Sequence, residues 1–157
     1  MNGLLFPLEG SWQSVARCDV RARELADRHY SRQTVGARDF MASGRTFVLL
    51  SLCGRAVWGA IENMDPAGAP RWRCSIFRNE GSPVRSSDLI REATALTFER
   101  WLRSYRALPP VPLTTEIDPA AVRKKRDPGR CFLRAGWWEI GRRRGLIILQ
   151  APAPEGT

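Results

Sequence analysis

One histidine stands in this 157-residue chain, and it opens a run of three side chains that can each exchange or hold a proton, His29-Tyr30-Ser31. An imidazole is the one side chain whose ordinary pKa lies near neutrality, so His29 could take a proton from an amine, polarise a carbonyl or hold a metal such as iron. Tyr30 and Ser31 could add hydrogen bonds at the same place. Asp118, at the end of an expected strand, could orient the imidazole or accept from an amine, or it could simply be the helix cap that Pro119 favours. The spacing of His29 with Ala22, Leu25 and Ala26 equally suits a histidine packed on an apolar helix face.

The second set of residues that could do chemistry is basic. Lys and Arg total 25 against 16 acidic residues, a net charge of +9, and only Lys124 and Lys125 are lysines. An excess of that size points to a polyanionic partner, with DNA or RNA leading. The densest basic text is Arg123-Lys124-Lys125-Arg126, with Arg130 and Arg134 close by and Arg142-Arg143-Arg144 following. Trp137 and Trp138 lie between, and strand alternation sends them to opposite faces, so one at most, taken as Trp138, is left to stack on a base. The same residues also read as a solvated basic loop beside a core tryptophan.

Other chemistries find less support. The cysteines at 18, 53, 74 and 131 are far apart and form no CxxC pair, so a zinc ribbon is not expected. They read as small buried residues in a reducing compartment. No apolar run approaches the length that spans a bilayer, and residues 1–10 lack a signal peptide's basic start and cleavage site, so the expected location is a bacterial host's cytoplasm, with no membrane partner.

The elements that must position these residues follow from periodicity. Apolar residues at helical spacing predict a helix over 20–30, capped by Asp19 and supported by an i,i+4 pair of Glu24 and Arg28. Strands are expected over 46–52, 55–63 and 71–77, the first two joined at Cys53-Gly54. A polar loop at 78–85 leads to the longest helix, which runs to about 106. Ser86 or Ser87 caps it, and Ile90, Ala93, Thr97, Trp101 and Tyr105 form its buried stripe. A strand at 113–117 follows. Asp118-Pro119 and Asp127-Pro128 each have the form of a helix cap, and Gly136 ends a short helix. Strands at 137–142 and 146–150 close the chain around Arg144-Gly145. The result is one α+β (mixed α/β) domain over 1–150 with a loose tail at 151–157.

This element order, with Cys131 to Gly141 reading CFLRAGWWEIG, resembles the GNAT fold of acyltransferases. The resemblance implies a central, mostly antiparallel sheet with helices on both faces. In that family an R/Q-x-x-G-x-G/A loop ahead of the long helix holds the pyrophosphate of coenzyme A. The corresponding text is Arg78-Asn79-Glu80-Gly81-Ser82-Pro83, in which Pro83 replaces a small residue and removes an N–H. Donor-binding residues implied here are Arg78, Asn79, Gly81, Ser86, Ser87 and Arg91. A closer similarity is to phage Mom-type proteins, a branch of that fold that modifies adenine in DNA. It rests on His29-Tyr30-Ser31, on Asp88-Leu89-Ile90-Arg91, on Asp118-Pro119, on Gly129, and on Gly136-Trp137 through Gly141, in the family's order. The family's Gly-His before the short helix is absent, and its tyrosine there is Phe132, which excludes a phenol acid at that position.

The resemblance implies a phage or prophage transferase that adds an acyl or carbamoyl-type group from a small donor to a base amine, with DNA as partner and with His29, Tyr30, Ser31 and Asp118 at the reaction centre. Two other expectations stand beside it: an N-acetyltransferase acting on a protein or small amine, and a nucleic-acid-binding module without catalysis.

Overall fold

The computed structural model describes residues 10–29, 39–121 and 129–154. Its elements are β1 (Trp12–Val15), α1 (Val20–Asp27), β2 (Arg45–Ser51), β3 (Ala56–Met64), β4 (Pro70–Asn79), α2 (Ser86–Tyr105), β5 (Leu113–Ile117), α3 (Arg130–Arg134), β6 (Trp138–Arg143) and β7 (Leu146–Gln150). The seven strands form one mixed sheet in the order β1-β2-β3-β4-β5-β7-β6. Every neighbouring pair is antiparallel except β4 and β5. This is an α+β architecture, and none of its described helices is long and apolar enough to cross a membrane.

Helices cover both faces. α1 lays Ala22, Leu25 and Ala26 on Val48, Leu50, Val57, Ile61 and Ile76. The other face carries the larger core, in which α2 and α3 pack on Trp58, Trp72, Leu113, Ile117 and Leu149. Cys74 belongs to the α2 side and Ile76 to the α1 side although they are two residues apart. A bulge makes this possible: Gly59 pairs with Ile76 and Ala60 with Cys74, which leaves Ser75 as an extra residue and reverses the alternation.

The larger core is built on five tryptophans, and four of their indole N–H groups are provided for, that of Trp72 being buried without a partner. Trp58 donates to the Thr97 hydroxyl at 3.0 Å, Trp137 to that of Thr94 at 3.3 Å, Trp12 to the Leu89 carbonyl at 2.9 Å and Trp101 to Glu62 at 2.8 Å. Thr94 and Thr97 in turn donate to the carbonyls of Ile90 and Ala93 one turn back. The two hydroxyls explain why polar residues sit on the buried stripe of α2. That stripe is wider than the spacing predicted, since Leu89, Thr94 and Phe98 are buried too, while Tyr105 is half-buried against Trp101.

Several expectations are corrected. β1 was not foreseen; its four residues are too few to show a period, and it is held by pairing with β2. α1 stops at Asp27, and Arg28 turns from Glu24 to Glu80, although Asp19 caps the helix as expected, accepting from the N–H groups of Arg21 and Ala22. α2 has Arg85 at its N-cap with no side-chain cap, because the Ser86 hydroxyl is engaged by Asn79 at 3.1 Å. Asp118-Pro119 opens a turn and not a helix, with the Ala120 N–H on Asp118 Oδ1 at 3.0 Å. α3 begins after Gly129, whose φ of 78° is left-handed, and Gly136 ends it at φ 96° as expected. The chain after β7 is not loose at its start, since Ala151 is buried and donates to the Leu113 carbonyl at 2.9 Å. Of the four cysteines only Cys74 is buried; Cys53, in the β2–β3 turn, is exposed, and Cys18 and Cys131 are half-buried.

Thr97→Val keeps the shape of the α2 stripe but leaves the fully buried Trp58 N–H with no acceptor. A loss of about 1–3 kcal/mol is expected, read as a lower urea midpoint at an unchanged slope.

Candidate active site

The parallel pair makes the site. β4 and β5 are in register only at Trp72 with Leu113 and Arg73 with Thr114. Past that point the strands part, and the Thr115 hydroxyl bridges to the Cys74 carbonyl at 2.9 Å where a ladder bond would otherwise lie. A cleft opens between the carboxyl ends of the two strands. Cys74, Ser75, Ile76, Phe77, Arg78 and Asn79 line one side, and Thr115, Glu116, Ile117 and Asp118 the other. Its remaining walls are Ala26, Arg28 and His29 at the end of α1, the residues from Pro83 to Ser87 leading into α2, and Gly129 to Phe132 at the start of α3. Ligands of sheets with parallel strands gather at this kind of opening, because neighbouring strands turn away from each other there and leave backbone groups facing a gap.

The loop between β4 and α2 is braced from within. Glu80 receives two hydrogen bonds from the Arg28 guanidinium, at 2.7 and 2.8 Å, and another from Arg78. The Arg28 bonds first, and Arg78 after them, hold the Glu80 carboxyl down to about 2, against a burial effect that would raise it. The Glu80 N–H donates to the Arg55 carbonyl, the Ser82 N–H to Asn79 Oδ1 and the Val84 N–H to the Ser82 hydroxyl. Three of the loop's N–H groups are therefore spent on the protein, and the cradle expected around Gly81 is turned inward. What the cleft meets instead is the start of the twenty-residue α2, uncapped by any side chain, with Arg85, Ser86 and Ser87 on the lining. The N–H groups of a first helical turn lack intrahelical acceptors and favour an anion.

The sequence-predicted residues are divided by this geometry. His29 and Asp118 line the same cleft, as do Arg78, Asn79, Ser86 and Ser87. His29 is half-buried just past the end of α1, with its N–H on the Ala26 carbonyl at 2.9 Å. Tyr30, Ser31, Arg123, Lys124, Lys125 and Arg126 lie outside the described residues. Gly81 and Arg91 are not on the lining; the Arg91 guanidinium holds Asp88 and the Arg134 carbonyl, each at 2.6 Å, and so ties α2 to α3. Arg130 is exposed on the rim, and Trp138 is exposed away from the cleft, while Trp137 is buried, as alternation requires.

Phe132 is buried against Trp58, Phe77 and Trp137 and brings the apolar core up to the cleft. Burial pushes the Cys74 thiol far up, so it is no nucleophile. Among the described residues no three His, Cys, Asp or Glu side chains gather to hold a metal ion, and iron at His29 finds no donor set there. Sequence reasoning missed Glu80, Arg73 and Glu116; alternation along β4 and β5 was the only available signal for the last two. Comparison with protein-family models, curated proteins and solved structures gives no match.

The depressed Glu80 carboxyl has a pH signature. Its stabilising effect is complete above the ordinary value of 4.5 and is lost as pH falls toward about 2. Glu80→Gln is expected to lower the neutral-pH Tm by a few degrees, with the gap to the unaltered chain closing over that interval in a thermal series.

Proposed function

We propose that this chain is a transferase of GNAT-like type that modifies a base amine in DNA, in the manner of the phage Mom-type proteins it resembles in sequence. One observation carries the reading: the only parallel strand pair among the described strands opens into a cleft lined by His29, by Asp118 and by the uncapped start of α2. A proton acceptor, a carboxylate and an anion-favouring helix end thus meet in one opening. The basic balance of the chain, with Arg130 and Arg134 at the rim, suits a polyanionic acceptor.

The donor fits the helix start better than the loop. Arg85, Ser86 and Ser87 would hold its anionic part, since the N–H groups of Glu80, Ser82 and Val84 already have partners. When bound, an acyl or carbamoyl donor would supply an activated carbonyl: the amine nitrogen bonds to its carbon, the bond from that carbon to the leaving group breaks, and the leaving group departs with the donor's anionic part at the helix start. His29 takes the proton that the base amine must lose, a task matched to an imidazole at neutral pH. Asp118 spends Oδ1 on the turn at Ala120, and that turn contact does not use its second oxygen, which would accept from the exocyclic amine. Phe132 and Phe77 provide an apolar wall against which an unstacked base can lie.

The test is mass spectrometry of nucleosides from DNA of cells expressing the chain or its His29→Ala variant. A new adduct is expected with the unaltered chain alone, its mass naming the group transferred. With Asp118→Asn the adduct should fall at least about tenfold, the usual weight of one positioned polar contact. An adduct that persists in His29→Ala removes the imidazole from the reaction. Unmodified DNA together with an acetylated protein or small amine moves the activity to another acceptor.

A further inference from the structure

Among the described residues, the elements packed on the sheet face that carries α1 cover only half of it. α1 packs over β2, β3 and β4, and the apolar cluster beneath it includes no residue of β5, β6 or β7. Over those three strands the face carries Thr114, Glu116, Gln150 and Arg143 among the apolar Trp138, Leu146 and Ile148, and with Arg73 of β4 it is continuous with the cleft, which shares Arg73 and Glu116 with it. Register sets out its rows. Trp138 lies beside Gln150, Gln150 beside Thr114, and Thr114 beside Arg73. The next row runs from Gly141 through Ile148 to Glu116, and Arg143 with Leu146 follows. Arg71 shares the face with Arg73, two residues along β4 and ahead of the bulge.

Charge on this face does not balance. Arg73 and Arg143 both reach Glu116, at 3.7 and 2.9 Å, and Arg71 is an electrostatic neighbour of Arg73, so two guanidinium groups share one carboxylate with a third close by. The Nε atoms of Arg71 and Arg73 are buried without a hydrogen-bond partner. Burial and the neighbouring Arg71 both disfavour the charge on Arg73. An arrangement of this kind costs free energy until an anion joins it. Three strand steps separate Trp138 from Arg73, about 14 Å, which is more than one phosphate occupies. Trp138 is 45% exposed on this side, an unusual position for so large an apolar ring. Gly141 leaves the middle of the shelf bare: its φ is ordinary, and a Cβ there would meet nothing within 4 Å.

We propose that this face is the track for single-stranded nucleic acid, with Arg71, Arg73 and Arg143 on the phosphates and Trp138 stacked on a base, leading the strand into the cleft. The inference deepens the DNA-modifying reading and rests on it for the direction of travel. Stacking on an exposed ring needs an unpaired base, which is why a single strand and not a duplex is the occupant.

The experiment is fluorescence anisotropy of a labelled single-stranded oligonucleotide of mixed sequence, without donor, across a salt series. Arg71→Gln and Arg143→Gln are each expected to weaken binding and to lower the slope of log affinity against log salt by about 0.7, one phosphate contact apiece. Trp138→Ala should weaken it at least about fivefold at an unchanged slope, with Trp138→Phe restoring most of the loss. Gly141→Glu, which adds a negative charge with no steric conflict, should weaken binding while the circular dichroism spectrum stays that of the parent. Unaltered affinity in Gly141→Glu and Arg143→Gln overturns the proposal, as does a duplex of the same sequence that binds as tightly as the strand. Binding that follows this pattern in a chain that leaves DNA unmodified keeps the track and removes the chemistry.

Discussion

The cleft of this fold depends on one local conflict, the placing of a single parallel pair inside a sheet whose described strands are otherwise antiparallel. Antiparallel neighbours can be joined by short turns, but β4 and β5 run the same way, so the chain must cross back over the sheet between them. α2 is that crossing, and its length and apolar stripe follow from the need to cover the strands it passes. A parallel pair flanked by antiparallel strands keeps register for only two positions before twist carries the strands apart. The gap is thus a product of topology, and the residues at its edges face an opening and not a neighbouring strand. The start of α2 arrives at the mouth of the gap for the same reason, since a crossing helix must begin where the first parallel strand ends.

A gap in a sheet weakens it, and the core is arranged to offset this. Trp58, Phe77, Phe132 and Trp137 pack ring against ring directly beneath the opening, at centroid separations between 4.9 and 6.4 Å. Large rings carry much apolar area per residue and make edge contacts that smaller side chains cannot. The threonines of α2 then satisfy two of the buried indoles. Glu80 performs a similar task outside the core, binding the end of α1 to the end of β4 so that the cleft wall carrying His29 is anchored.

Much of this was legible in the residues, and what was not has physical causes. Helix caps and apolar periods are local, so Asp19, the extent of β5 and the left-handed Gly136 could all be read directly. β1 could not, because four residues carry no period and its partner is more than thirty residues away. The Ser86 cap failed because a competing donor, the Asn79 amide, is not visible at the level of propensity. Motif reading placed His29 and Asp118 on one cleft, but it also placed Arg91 there, whose guanidinium is drawn to the Arg134 carbonyl across the fold. The basic face of β4 to β6 was hidden for a related reason. Its arginines are scattered in the chain and become neighbours only through strand order, while the conspicuous basic run at 123–126 drew attention as a contiguous block.

The strand order also has a consequence for the sequence of events at the ribosome. β7 follows β6 in the chain yet lies between β5 and β6 in the sheet. While synthesis has not passed residue 150, β5 has no partner on its far side, and β6 has no neighbour at all. The cleft has one wall fixed and the other held by two register positions. A nascent chain of this kind can assemble the α1 layer and the β1 to β4 meander early, but it must carry an open edge until the closing hairpin inserts. The cleft is therefore completed late, since its β5 wall gains its second neighbour only when β7 enters the sheet.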